Sequence, residues 1–128
     1  MSQITIDELV HKAEAIVADC FSQAALSAGS TGRTQLSNAI DAINQSGSVA
    51  VFCNWLRYQM SREDFWRTPG KNGSFAEQIY KYAQDLLRRD AENAVAHLTN
   101  FLGFARRALV ALRYLEQIPP QLREVRNE

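Results

Sequence analysis

This 128-residue chain is poor in the residues and patterns that build metal sites, disulfide frameworks and membrane spans. It has two cysteines and two histidines, and neither pair has the spacing of metal ligands. A run of about 18 apolar residues, which a membrane-spanning helix requires, is missing. We therefore expect no metal, no cofactor and no membrane partner.

The few cysteines and the acidic start of the chain indicate its compartment. Cys20 and Cys53 both fall on apolar faces of predicted helices, which favours buried free thiols over a disulfide. The N-terminus MSQITIDELV carries acids where a secretory signal would carry basic residues. We expect a cytoplasmic protein.

The chain also has no net charge, because 14 basic residues balance 14 acidic ones. The balance is uneven along the chain: residues 1–54 sum to −3, residues 55–114 to +4, and residues 115–128 to −1. Positive charge in the second half could meet phosphate without making the whole protein basic, or it could simply solvate helices. With 46% hydrophobic residues, the chain fits one globular domain.

Strand patterns are nearly absent, whereas apolar residues recur at three- and four-residue steps throughout. The sequence predicts an all-α, compact single-domain bundle of about five helices over residues 1–118, with long first and last helices and a mobile tail at 119–128. The first helix is expected from Thr5 to Ala28, where Gly29-Ser30-Thr31-Gly32 would end it.

The other expected boundaries come from capping residues and helix breakers. They are an N-cap at Thr34, an N-cap at Ser48, fraying of the third helix at Asp64–Trp66, the least ordered internal stretch at 68–73, a capping box at Ser74–Glu77, and an N-cap at Asp90 for a last helix with apolar residues from Ala94 to Leu115.

The third predicted helix carries two apolar or aromatic faces. One is an ordinary core stripe, made of Val49, Phe52, Cys53, Leu56 and Met60. Trp55, Tyr58 and Arg62, with Val51, cluster on the other side, where a surface helix should be polar. That side could contact another helix of the chain, a protein partner, or the bases and phosphates of a nucleic acid.

Catalytic patterns are weak, so we expect no enzyme. His11 and His97 are far apart, and the glycine-rich segments 29–34 and 70–73 lack the context of phosphate-binding loops. The basic residues are better organised, since guanidinium groups bind phosphate with two parallel hydrogen bonds and nearby rings can stack on bases. The candidates for RNA binding are Arg57, Arg62, Arg106, Arg107, Arg113, Lys81 and Arg88.

Three short stretches resemble one known family. Residues 33–38 (RTQLSN) are similar to the hydroxyl-x-Leu-Arg-Asn opening of that family's second helix, and residues 56–62 (LRYQMSR) to its Lys/Arg-Tyr-x-x-x-Arg turn. Residues 101–114 resemble its closing helix, with an Ala-Leu-Val-Ala-x-x-basic-aromatic pattern. The family is the small helical subunit of type III CRISPR effector complexes, in its Csm (type III-A) version more than its Cmr (type III-B) version.

The resemblance implies a non-catalytic subunit of an antiviral ribonucleoprotein, which lines the groove that holds guide RNA and target RNA. Its expected partners are these RNAs, the other subunits of the effector complex and copies of itself. Ser37 stands where the family usually has a basic residue, and Arg33 one turn earlier could substitute for it. Trp55 and Tyr58 would stack on RNA or pack on a neighbouring subunit. The alternative is a helical protein–protein adaptor or inhibitor, for example phage-encoded, that binds no nucleic acid.

Overall fold

A computed structural model describes residues 3–21, 29–112, 114 and 117–122, and it confirms the all-α prediction. Five α-helices pack together within these ranges. They are α1 (Ile6–Cys20), α2 (Gly29–Ser46), α3 (Val49–Arg62), α4 (Phe75–Arg89) and α5 (Ala94–Leu112).

Helix α5 packs against α1 and α2 along its length and against α4. Helix α3 packs against α2 and α4, so α2 lies between α3 and α5. A minimal antiparallel pair of strands, β1 (Pro69–Gly70) and β2 (Gly73–Ser74), joins α3 to α4. The outward side of α2 therefore has one helix on each flank.

The predicted core stripes are largely confirmed. In α3, Val49, Phe52, Cys53 and Leu56 are buried, and Met60 is half-buried at the edge. In α4, the apolar residues at helical spacing are all buried, namely Phe75, Ile79, Tyr82, Ala83 and Leu86. The stripe of α5 is buried or half-buried from Ala94 to Leu112, while Leu115 lies outside the described residues.

Two predicted helix starts are confirmed by their hydrogen bonds. The Ser48 hydroxyl accepts from the Val51 N–H at 3.2 Å, which caps α3. Ser74 and Glu77 form the predicted capping box, with the Glu77 N–H 3.2 Å from Ser74 Oγ and the Ser74 N–H 3.3 Å from Glu77 Oε1. Both signals are local, and this is why the sequence shows them.

The predicted boundary between the first two helices is wrong. Helix α1 ends at Cys20, because Phe21 has an extended backbone and its ring packs against Phe65 and Phe75. The remaining predicted turns, residues 22–28, lie outside the described residues. Gly29–Gly32 begins α2 instead of breaking a helix, and Thr34 lies inside α2.

Gly32 is accommodated in α2 for a packing reason. A Cβ atom there would lie 2.5 Å from Leu109 Cδ2 and 3.1 Å from Phe65 Cε1, so only glycine allows α5 to approach this closely. Long-range packing therefore decides the conformation of a residue that local propensity assigns to a loop.

The other corrections fall on the connections. A 3₁₀ turn at Asp64–Arg67 follows α3, where fraying of the helix was predicted. Residues 69–74 form the strand pair, in the stretch that was predicted to be the least ordered. Asp90 ends α4 and precedes a 3₁₀ turn at Ala91–Asn93, so α5 begins at Ala94. Pro120–Leu122 also forms a 3₁₀ turn, and residues 123–128 of the predicted tail lie outside the described residues.

The strand pair is fixed by polar contacts with α1 and α4. Asp19 Oδ2 accepts from the Asn72 N–H at 3.1 Å and from Gln78 Nε2 at 2.8 Å, and Gln78 Nε2 also donates to the Gly73 carbonyl at 2.9 Å. The hydrogen bonds that Asp19 accepts lower the pKa of its carboxyl group, and the bond from Gln78 contributes most. Gly73 has φ of +113°, which favours glycine.

Replacing Gly70 with alanine is expected to lower the free energy of unfolding by about 1–2 kcal/mol through overpacking. The new Cβ would lie 2.8 Å from Cys20 Sγ, 2.9 Å from Gln78 Nε2 and closer still to Asp19 Oδ2. Urea unfolding followed by circular dichroism measures the change. The matched control is Gly103→Ala, since a Cβ on Gly103 meets no atom within 4 Å. Equal stability of the two variants would contradict the close approach at Gly70.

Candidate nucleic-acid interface

The aromatic side of α3 divides into a buried and an exposed part. Trp55 is half-buried, and its ring stacks on Phe52 at a centroid distance of 5.9 Å and meets Trp66 edge-on at 5.9 Å. Of the three roles left open for Trp55, packing inside the chain is therefore the one that the structure shows. Its ring belongs to the edge of the core.

Tyr58 is 54% exposed and contacts Arg62 on the next turn of α3. Arg62 Nη1 donates to Tyr58 Oη at 3.0 Å, and the guanidinium lies 5.3 Å from the ring centroid. The contact holds a cation beside an exposed aromatic ring. This pair is the outward-facing part of the aromatic face.

Trp66 organises the region between α2 and α3, and sequence reasoning missed it because it lies in a segment expected to fray. Its side chain is fully buried, its Nε1 donates to Gln35 Oε1 at 3.2 Å, and its ring stacks on Phe75 at 5.7 Å. Two adjacent aromatic residues at the end of an apolar helix, Phe65 and Trp66, could have indicated from the sequence that this segment is buried. Trp66 fixes the end of α3 against the start of α2.

Helices α2 and α5 run antiparallel, joined by two polar contacts on one side. Thr99 Oγ1 donates to Asn44 Oδ1 at 3.1 Å, and Arg106 Nη1 donates to Ser37 Oγ at 3.1 Å. Arg33 precedes Ser37 by four residues and so lies one turn away on the same side of α2. Arg33 and Arg106 therefore share the seam between α2 and α5.

Arg62 lies on the opposite flank of α2, at the same end of the bundle. Helices α2 and α3 are joined at Gly47–Ser48; Arg33 lies fourteen residues before Gly47, and Arg62 fourteen residues after Ser48. At about 1.5 Å per residue, both are roughly 21 Å from this turn. Arg33, Arg62 and Arg106 thus lie toward one end of the bundle, on α2 and on the two helices beside it; we call them the α2 arginines.

Arg57 does not join the α2 arginines, although the sequence placed it at the margin of the same face. Five residues separate Arg57 from Arg62, which turns it about 140° away around α3. It lines a depression of about 250 Å³ between α3 and α4, with Met60 and Tyr80. This residue is therefore removed from the candidate interface.

The other predicted RNA-binding residues are dispersed. Arg107 is exposed on α5, with its guanidinium 5.9 Å from the Phe104 ring. Lys81 and Arg88 lie on α4, which packs mainly against α1, α3 and α5. Arg88 also forms an ion pair with Asp85. Arg113 lies outside the described residues.

Ion pairing separates the arginines into two groups. In the described part of the chain, three arginines pair with carboxylates, namely Arg67, Arg88 and Arg89. Five described arginines form no such ion pair, namely Arg33, Arg57, Arg62, Arg106 and Arg107. The α2 arginines all belong to the second group, so no carboxylate among the described residues is bonded to them.

A second polar region, missed by sequence reasoning, joins α1 to α4. Arg89 donates twice to Glu8, with Nη1–Oε2 at 2.7 Å and Nη2–Oε1 at 2.8 Å, and Tyr82 Oη donates to Glu8 Oε2 at 2.7 Å. The Arg89 contact holds the pKa of Glu8 below its usual range, while burial raises the pKa of Tyr82. We call these three residues the α1–α4 clamp.

The clamp lines a groove of about 560 Å³ that carries charges of both signs. Asp85 accepts from Arg89 at 3.1 Å, and the Lys12 ammonium lies 5.5 Å from the centroid of the Tyr82 ring. The Arg89 guanidinium in this groove faces the carboxylates of Glu8 and Asp85, and its contact with Glu8 holds α1 and α4 together.

The remaining chemically active residues have ordinary surroundings. Cys20 and Cys53 are buried free thiols, as predicted, and burial raises the pKa of both, that of Cys20 to about 11. They are therefore protonated at neutral pH. His97 contacts Asp90 at 3.1 Å. Residues 3–21, 29–112, 114 and 117–122 contain no cluster of three or more acidic, His or Cys side chains placed to hold a metal.

Among the described helices, none has both the length and the apolar character of a membrane span. Comparison with known proteins adds no relative: no protein-family model, no curated protein and no solved structure matches the chain. The functional assignment therefore depends on the placement of the α2 arginines and on the three motif stretches.

Proposed function

We propose that this protein is a non-catalytic, RNA-binding small subunit of a type III CRISPR effector complex, acting in antiviral defence in the cytoplasm. The observation that carries the proposal is the position of the α2 arginines, which lie on α2 and on the two helices beside it and pair with no carboxylate of the described chain. Their partners would be guide RNA and target RNA.

The chemistry of the surface supports phosphate recognition without sequence recognition. Guanidinium groups match phosphate geometry, and the α2 surface between them exposes the uncharged side chains Thr34, Asn38 and Gln45. Asp41 is the single acidic residue of α2. Such a surface would bind the backbone and shape of RNA, and its affinity would fall steeply with salt.

The three stretches that resemble the family converge in space. Residues 33–38 begin α2, residues 56–62 end α3, and residues 101–112 form the second half of α5. The contacts of Gln35 with Trp66 and of Ser37 with Arg106 bring these segments to one end of the bundle. Where the family would have a basic residue at position 37, the Arg106 guanidinium supplies the positive charge.

The test is a triple variant, Arg33→Ala, Arg62→Ala and Arg106→Ala. We expect it to bind a labelled single-stranded RNA at least about tenfold more weakly at low salt, with a salt slope smaller by about 1.4, since each lost phosphate contact removes roughly 0.7 and Arg33 and Arg106, on the same seam, count as one contact. Fluorescence anisotropy measures both quantities, and circular dichroism checks the helices.

The matched control removes the same charge elsewhere, with Arg57→Ala, Lys81→Ala and Arg88→Ala. If both triple variants lose affinity equally, net charge and not the α2 arginines governs binding. If neither loses affinity, the proposed interface is wrong. Sequencing of RNA that co-purifies with the tagged protein tests the CRISPR assignment itself, because guide RNA should dominate.

One observation favours the alternative, a protein–protein adaptor. Val51 and Tyr58 lie two turns apart on one side of α3 and are 53% and 54% exposed. Tyrosine is one of the residue types enriched at contact hot spots. This function predicts a protein complex that is insensitive to salt and weakened by Tyr58→Ala, with no RNA bound.

A further inference from the structure

The Arg106 guanidinium and the Ser37 hydroxyl meet at the seam between α2 and α5, and a second arginine lies one turn away along α2. Arg106 Nη1 lies 3.1 Å from Ser37 Oγ, and Arg33 lies one helical turn from Ser37 on the same side of α2. We propose that Arg33, Ser37 and Arg106 form a binding site for one phosphate group, in which Ser37 positions the Arg106 guanidinium. This site rests on the proposed RNA binding, since a backbone phosphodiester is its expected ligand.

The hydroxyl of Ser37 has two roles in this arrangement. Its oxygen accepts a hydrogen bond from Arg106, and its own hydrogen stays able to rotate toward a ligand and donate. A guanidinium that is already held in place loses less conformational freedom when it binds phosphate. Ser37 and Arg106 are both half-buried, so their contact is partly shielded from water.

The charges around the site favour an anion, with one exception. Arg33 and Arg106 make no ion pair within the described chain, whereas Asp41 lies one turn beyond Ser37 on α2. A carboxylate at that distance repels phosphate through water. Removing the charge of Asp41 should therefore strengthen binding, an effect that a purely structural role of Ser37 would not produce.

The experiment measures RNA affinity of single variants by anisotropy with a labelled twelve-nucleotide oligouridine at low salt. Ser37→Ala should bind about 3- to 10-fold more weakly with a nearly unchanged salt slope, because both guanidinium charges remain and only the positioning of Arg106 is lost. Ser37→Thr keeps the hydroxyl and should bind like the parent protein. Asp41→Asn should bind about two- to threefold more tightly.

A titration with inorganic phosphate, followed through the NMR signals of the Ser37 amide and the Arg106 side chain, separates a phosphodiester from free phosphate. If phosphate shifts these signals and the protein also binds RNA, the site accepts the group from either source. If phosphate shifts them but RNA does not bind, the site stands and the proposed RNA function is wrong.

Three results would overturn the phosphate site. The first is a Ser37→Ala variant with the same affinity as the parent protein, even though the triple arginine variant loses RNA binding. The second is a Ser37→Thr variant that loses as much affinity as Ser37→Ala, which would show that the hydroxyl is not what matters. The third is the absence of any change in the signals of Ser37 and Arg106 when inorganic phosphate or RNA is added.

Discussion

Replacing Trp66 with alanine is expected to lower the free energy of unfolding by about 3–5 kcal/mol, the range for a large buried aromatic. Trp66 is fully buried, and its ring contacts those of Trp55, Phe65 and Phe75 at centroid distances of 5.0–5.9 Å. Alanine would leave a cavity where α3, α4 and the start of α2 meet. Urea unfolding followed by circular dichroism measures the change.

Two controls separate packing from the hydrogen bond of Trp66. Trp66→Phe keeps a ring but loses the bond from Nε1 to Gln35 Oε1, and it should cost less than the alanine variant. Tyr58→Ala removes an exposed aromatic and should change stability little. A loss below about 1 kcal/mol for Trp66→Ala would contradict its central position.

Replacing Arg89 with methionine should lower the free energy of unfolding by about 2–3 kcal/mol, because Glu8 would lose both guanidinium hydrogen bonds in a partly buried setting. The Arg89 side chain is only 14% exposed, so water compensates little. Arg88→Met is the matched control: its side chain is 73% exposed and pairs with Asp85 at the surface. Its loss should be small.

The effect of Arg89 should depend on pH with a definite sign. Its contact lowers the pKa of Glu8, so the stabilisation is full at neutral pH and is lost as the pH falls through the pKa of the folded state. The difference in stability between the parent protein and Arg89→Met should therefore be widest at neutral pH. It should narrow below the usual glutamate value of 4.5. A difference that grows in acid would show that another group is responsible.

The fold was predictable where local chemistry decides it. Helix α4 could be placed because its capping box and its apolar spacing both lie within its own residues. Gly32 and Trp66 could not be placed this way. Gly32 lies in a helix where Leu109 and Phe65 approach its backbone closely, and the Trp66 indole is held by its hydrogen bond to Gln35. Both depend on residues that are distant in sequence.

The candidate site follows the same division. The contact between Tyr58 and Arg62 could be predicted from one helical turn, and the structure shows it. The sequence gives no register between α2 and α5, so it could not show that Arg106 reaches Ser37. It also missed that Glu8 meets Arg89, since 81 positions separate them.

The close approach that Gly32 permits has a consequence for the arginines on the surface. Because Gly32 has no side chain, Leu109 of α5 can lie close to α2 at this point. In the proposed phosphate site, the same close approach would let the guanidinium groups of Arg33 and Arg106 reach one phosphate from two helices. A residue in the core would thus help to shape the proposed site on the surface.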